Sequence, residues 1–466
     1  MFAKAIRALL VLAILPLSAY GAEVVVVNGD PPGVGFNDPT PAVPVGGNPG
    51  TTVGQQALNV FQRAANVWGA KLVSDQPIYV ISFFTPLSCN ATGAVLGAAG
   101  ANWYFANVPA ANGGKGLKPD TWYPAALAEK LTRQDIVADP NDPFEIFSFF
   151  NSELGKPGCL TGNGWYYGLD NREPSNRIDL LAVVLHEFGH GLGFSVFPTD
   201  ASSGARAAGF PSVWESHMLD ASTGKRWIDM VNAERAASAR NNLNLVWAGQ
   251  KATNVIPSVL DFRAEVKVID PVGLGVNEVQ TAAFGPPLKA PPIQGVLVAP
   301  NDGGGASLQD GCEPFPPDPS IPGNIVLIRR GTCTFTLKVL NAQNAGAKAV
   351  LIDNNAATGL PAMGGTDPAI RIVSLGISQA LGNALRAALP STYVRLQRNP
   401  LIRTGTTVGY TRLYAPTSFA GGSSVSHWDT TATPNMLMEP FINTDLTSSV
   451  KNPDDLTRSL FFDIGW

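Results

Sequence analysis

Histidine is scarce in this chain: there are four in 466 residues, so any two at a functional spacing carry weight. Cysteine is equally rare, also four, and no two of them form a C-x-x-C pair, which argues against a thiolate metal site. Only 15% of residues are charged, and the net charge of −4 is spread over mixed signs. No basic tract offers a phosphate-binding surface, so nucleic acid is not an expected partner. No apolar run is long enough to cross a bilayer, and no internal repeat is found. The 45% of hydrophobic residues suffices for an ordinary core, so large-scale disorder is not expected. The length suggests two to three domains.

The N-terminus reads as an export signal. Lys4 and Arg7 precede a short apolar run from Ala8 to Leu17, and Ala19-Tyr20-Gly21 fits a small-x-small cleavage site. Residues 1–21 are therefore expected to be a signal peptide, with Ala22 opening a secreted or periplasmic protein. No Cys follows the site, so no lipid anchor is expected. The four cysteines, Cys89, Cys159, Cys312 and Cys333, then favour disulfides. Three pairings are possible, and proximity in sequence suggests Cys89–Cys159 and Cys312–Cys333.

Hydrophobic periodicity predicts a helix from Gly54 to Trp68 and a strand from Ile78 to Phe84. Ala94 to Leu96 is a second strand candidate. Residues 110–170 read as loop. A second apolar helix runs from Ile178 to His190, and the glycines at 189, 191 and 193 end it. Near residue 260 the texture changes to a strand–helix–strand rhythm: Asn324 to Ile328, Phe335 to Asn344, Ala349 to Asp353. After about residue 400 it changes again and closes on a helix near Leu456 to Phe462.

The second helix ends in HEFGH. Two His at i and i+4 lie one above the other on a helix face and present two imidazoles to one ion. His186 and His190 are the candidate zinc ligands. Glu187 lies on the neighbouring face, where it can take a proton from a water that zinc activates. A catalytic zinc needs a third protein ligand and an open position. Glu215, in VWESHMLD and 25 residues after His190, has the spacing of the Glu ligand in thermolysin-like enzymes; a salt-bridged acid is the commoner state of Glu. His217 reads as structural, and His427 is the other candidate.

HEFGHGLGF together with GGSSVSHWDTTATPNMLMEP resembles the leishmanolysin-like metzincins. Gly193 stands where those enzymes have the turn glycine, but Val196 stands where the compact motif has its third His. In the resembling family an insertion separates the turn from a third His in an S-H-W setting, followed by a Met turn. The resemblance therefore implies His427 as third ligand and Met438 as the Met-turn residue, whereas most Met residues simply fill core. It covers residues 178–194 and 421–466 well. No propeptide switch cysteine is seen, and no Tyr closely follows Met438.

Residues 323–355, GNIVLIRRGTCTFTLKVLNAQNAGAKAVLIDNN, resemble the protease-associated (PA) domain. That resemblance assigns about 266–400 to an inserted module that gates or binds substrate, or serves as an interaction surface. The expected fold class is thus α+β: a metzincin-like zinc peptidase domain in two parts, 22–265 and 401–466, interrupted by an α/β PA domain. The expected function is a secreted zinc endopeptidase acting on proteins or peptides with one catalytic Zn2+. A non-catalytic adhesin on the same shell, and a zinc hydrolase of non-peptide substrates, are the alternatives. The acidic residues are too scattered along the chain to define a calcium loop.

Overall fold

The apolar stripe after Gly54 becomes the helix Val53–Gly69 in the computed structural model, which describes residues 21–137, 139–305, 307–357, 359–361, 363–442 and 446–466. The expected signal peptide lies almost wholly outside these described residues. Thr52 caps the helix by accepting from the Gln55 amide at 3.2 Å. Ala57, Phe61, Ala64, Ala65 and Trp68 are its buried face. The chain divides into two compact units, 1–193 with 465–466, and 194–464. Helices and strands are mixed in both.

The first unit is built on a four-stranded sheet in the order Val24–Asn28, Ile78–Thr85, Ile146–Asn151, Gly97–Ala101. The first three strands are parallel and the last is an antiparallel edge. Ile78, Val80 and Phe84 alternate inward as their pattern requires. Phe36, Phe61, Phe84, Phe150 and Phe188 form a chain of ring contacts at 4.7–6.0 Å between this sheet face and the helices.

Three expectations need correction here. The second strand is Gly97–Ala101, whereas Ala94 makes only an isolated bridge to Cys89. Its run of Gly and Ala has poor strand propensity, and pairing with Ile146–Asn151 overrides that. The region read as loop contains the helix Ala125–Thr132 and an inner strand, Ile146–Asn151. Its Ile146, Ser148 and Phe150 alternate inward, but flanking Pro, Asp and Asn mask the pattern. The HEFGH helix begins at Leu180, not Ile178, because Arg177–Asp179 pairs as a short strand with Gly164–Tyr166.

That helix, Leu180–Gly191, is capped by Asp179, which accepts from the Leu181 amide at 2.8 Å. Leu180 to Leu185 are all buried, so it is apolar all round, as a helix in a core must be. Trp68 donates its indole N–H to the Leu185 carbonyl at 3.0 Å. Gly191 sits where a Cβ would come 2.3 Å from Ile146. Gly193 has φ +117°, a conformation that favours glycine and turns the chain off the helix. Trp466 donates to the Leu192 carbonyl at 2.9 Å across 274 residues of sequence.

The second unit contains an eight-stranded sheet. Its middle is the parallel run Ile293–Val298, Ile325–Arg329, Ala349–Asp353, Val373–Ile377. Ile325–Arg329, Ala349–Asp353 and Val373–Ile377 are buried almost throughout, and the sheet has a packed core on each face, as expected of a parallel sheet. The helices Phe335–Asn344 and Gln379–Ala387 are capped by Thr334 and Ser378. The long antiparallel strands Phe262–Asp270 and Tyr393–Arg403 form the base, running a few residues outside 266 and 400. The remainder of the unit holds a five-stranded sheet and the helices Gln250–Val259 and Thr457–Ile464. Asp463 accepts from the Lys251 and Ala252 amides at 2.7 and 3.1 Å, capping one helix from the other.

Both disulfides, Cys89–Cys159 and Cys312–Cys333, are those suggested by proximity in sequence. Among the described residues no helix is long and apolar enough to cross a membrane.

Candidate metal centre

In the first unit the one-turn spacing of HEFGH brings the Nε2 atoms of His186 and His190 to 3.0 Å, with the rings 77° apart. Two nitrogens at about 2.0–2.1 Å from a tetrahedral zinc stand about 3.3 Å apart, so this pair fits one ion with a small adjustment. Both imidazoles meet at Nε2, which leaves each Nδ1 for orienting contacts.

Glu187 points to the edge strand. Its carboxylate accepts from the Ala99 amide, and a Cβ on Gly97 would lie 2.8 Å from its Oε1. The glycine-alanine strand, unfavourable by propensity, is what admits the carboxylate. Burial pushes the Glu187 carboxyl up to about 8, with the Ala99 hydrogen bond pulling it partly back. A carboxylate near neutrality that is held in a dry site is suited to accepting and returning a proton.

The second unit carries His427, Met438, Glu215 and His217. His427 Nδ1 is 2.8 Å from the Ser423 carbonyl. A carbonyl only accepts, so Nδ1 carries the proton and Nε2 keeps the lone pair that a metal needs. The Trp428 amide donates to the Met438 carbonyl at 2.8 Å, and Met438 is fully buried. The S-H-W segment and the L-M-E-P turn are thus paired backbone to backbone. Ser426 Oγ accepts from the Val196 amide at 3.1 Å.

Glu215 is differently employed. Arg206 grips its Oε2 through Nε at 2.9 Å and Nη2 at 2.7 Å, while Thr199 Oγ1 and the Ser212 amide donate to Oε1 at 2.5 and 3.0 Å. Both oxygens of this fully buried acid are engaged. His217 stacks on Trp247 at 5.0 Å.

Sequence reasoning did not single out Gly97 or Ala99. The available signal was the GAAGA run itself, since glycine inside a strand often marks a bulge, a bend or a close approach.

Residues 293–385 match the PA domain family. Over 113 residues the chain is 38% identical to an E3 ubiquitin-protein ligase RNF13 from Gallus gallus and 36% identical to that from Homo sapiens. Each alignment covers 22% of this chain and 28% of the relative, so the likeness spans little more than a quarter of either relative's length. Among solved structures, a zinc aminopeptidase from Bacillus subtilis aligns at 24% identity over 33% of this chain and 38% of that one, with a TM-score of 0.23. A subtilisin-like protease from a Pseudoalteromonas aligns at 20% identity over 35% and 37%, also at 0.23. What the comparisons establish is that this chain contains a PA domain.

Proposed function

We propose that this protein is an exported zinc-dependent endopeptidase of the metzincin type, with a PA domain that gates or binds substrate. The observation that carries the reading is the convergence of His186 and His190 at Nε2 with Glu187 seated on the edge strand. His427 is the third ligand in this reading. Its tautomer suits ligation, and the S-H-W segment that carries it is paired backbone to backbone with the Met438 turn. Glu215 already has four donors, which leaves it little capacity for a metal.

Bound zinc would lower the pKa of water and polarise the scissile carbonyl. Glu187 would take the proton from the attacking water and hand it to the leaving amine. The outer side of Gly97–Ala101 is an unpaired sheet edge, and an extended peptide would add to it as a further strand. The small side chains there would let the peptide backbone approach closely.

The test is zinc content and proteolysis of the mature protein beside its variants. One zinc per chain is expected, retained in Glu187→Gln with proteolysis lost. His427→Ala should lose zinc and Glu215→Ala should keep it where it folds. Wild-type protein that takes up no zinc would remove the enzyme reading and leave the adhesin alternative.

A further inference from the structure

A second cluster of metal-ligating groups lies in the PA domain. Asp302, Asp310 and Glu313 each bring one carboxylate oxygen within 4.8 Å of the other two. Asp302 is 2% exposed and so is Asp310. Burying like charges this close is unfavourable unless something positive or a proton lies among them.

The charge balance can be followed residue by residue. Lys338 is completely buried, and its ammonium is spent on the Asp310 main-chain oxygen at 2.5 Å and on Cys312 Sγ at 3.3 Å. It supplies one positive charge beside two buried carboxyls, Asp302 and Asp310, and the half-buried Glu313. Asp310 accepts from Thr332 Oγ1 at 2.7 Å and from the Cys312 amide at 3.1 Å. Asp302 accepts from the Gly311 amide through Oδ2 at 2.7 Å. Its Oδ1 has no hydrogen-bond partner and no access to water, and Glu313 Oε2 is in the same condition. Gly305 closes over Glu313: at φ +73° it places a Cβ position 2.6 Å from both carboxylate oxygens.

Acceptors without donors, in a pocket with more carboxyls than cations, match a divalent cation. The donors are all hard oxygens, which selects calcium over zinc and, given the irregular loop that supplies them, over the strictly octahedral magnesium. We propose that Asp302, Asp310 and Glu313 form a calcium site that fastens Asp302 to the turn Asp310–Glu313, beside the Cys312–Cys333 disulfide and the Phe335–Asn344 helix. The site is independent of the zinc reading and carries no catalytic role.

The test is calcium and magnesium titration of the full mature protein, followed by its melting temperature and by calorimetry in buffer with fixed zinc. Millimolar calcium should raise the melting temperature by several degrees, with one ion bound per chain and a smaller response to magnesium. Glu313→Gln, at the half-buried member, should fold and show the response reduced at least tenfold in calcium affinity. Asp302→Asn should abolish it. A wild-type protein indifferent to calcium would overturn the proposal, as a shared proton would then suffice between Asp302 and Asp310. A full response in Glu313→Gln would overturn it too, since calcium would then bind elsewhere.

Discussion

Two clusters of potential metal ligands in one chain differ in every respect that decides which ion would suit them. The first joins two imidazoles, one turn apart on an apolar helix, with a carboxylate beside them. The second joins three carboxylates drawn from a loop and a neighbouring turn around a buried lysine. Nitrogen donors at fixed helical spacing suit zinc and can be held ready on a rigid element. Oxygen donors on an irregular loop suit calcium, and there the ion itself completes the local structure. In the proposed readings the contrast separates a site shaped for chemistry from one shaped for stability.

The comparison is most exposed at Glu187. Glu187→Gln should reduce kcat/KM about 10²–10⁴-fold while zinc content and melting temperature stay near wild type, read by peptide hydrolysis and metal analysis. An activity loss accompanied by metal loss would instead make it a structural residue. Removing the disulfide by Cys312→Ser with Cys333→Ser should cost about 3 kcal/mol of PA-domain stability, the chain-entropy value for a crosslink spanning 21 residues. Denaturant melts would measure it, and the calcium response should weaken while zinc content does not change. Gly97→Val places a side chain against Glu187 and should cost about 1–3 kcal/mol by overpacking, with activity falling more than zinc binding.

The smallest effect is on pH dependence. Glu145 is buried, accepts from the Tyr79 amide at 2.5 Å, and is pushed up to about 8, chiefly by desolvation. Its folded pKa lies above its unfolded value near 4.5, so the stabilisation is full below pH 4.5 and is lost as pH rises toward 8. Glu145→Gln keeps an acceptor for Tyr79 and should flatten this slope, with a gain over the wild type that grows from almost nothing at pH 4 to its largest at pH 8. Thermal melts of both proteins across that range would show it.

The nitrogen cluster was legible in the sequence because its geometry is local. A helix period and a capped start are enough to bring His186 to His190. The PA strands were legible for a similar reason: Ile325–Arg329 and Ala349–Asp353 are short apolar runs with turn residues at each end. Gly97–Ala101 was not legible, because its strand state comes from pairing with Ile146–Asn151 and from the carboxylate it must accommodate. Ile146–Asn151 was itself hidden by its loop-like flanks. The oxygen cluster escaped for another reason. Asp302, Asp310 and Glu313 fit no calcium-loop spacing, and only the fold of the loop gathers them. The Arg206–Glu215 pair shows the converse: correct ligand spacing says nothing about whether a carboxylate is already engaged.

The bond from Trp466 to the Leu192 carbonyl also bears on how the protein is made. The 274 residues that follow Leu192, up to and including Trp466, must all emerge before the bond can form. At bacterial or eukaryotic synthesis rates of about 5–20 residues per second, that is a wait of roughly 15–55 seconds. Throughout it, the carbonyl that follows the HEFGH helix lacks this donor, so the arrival of Trp466 sets when that helix end is sealed.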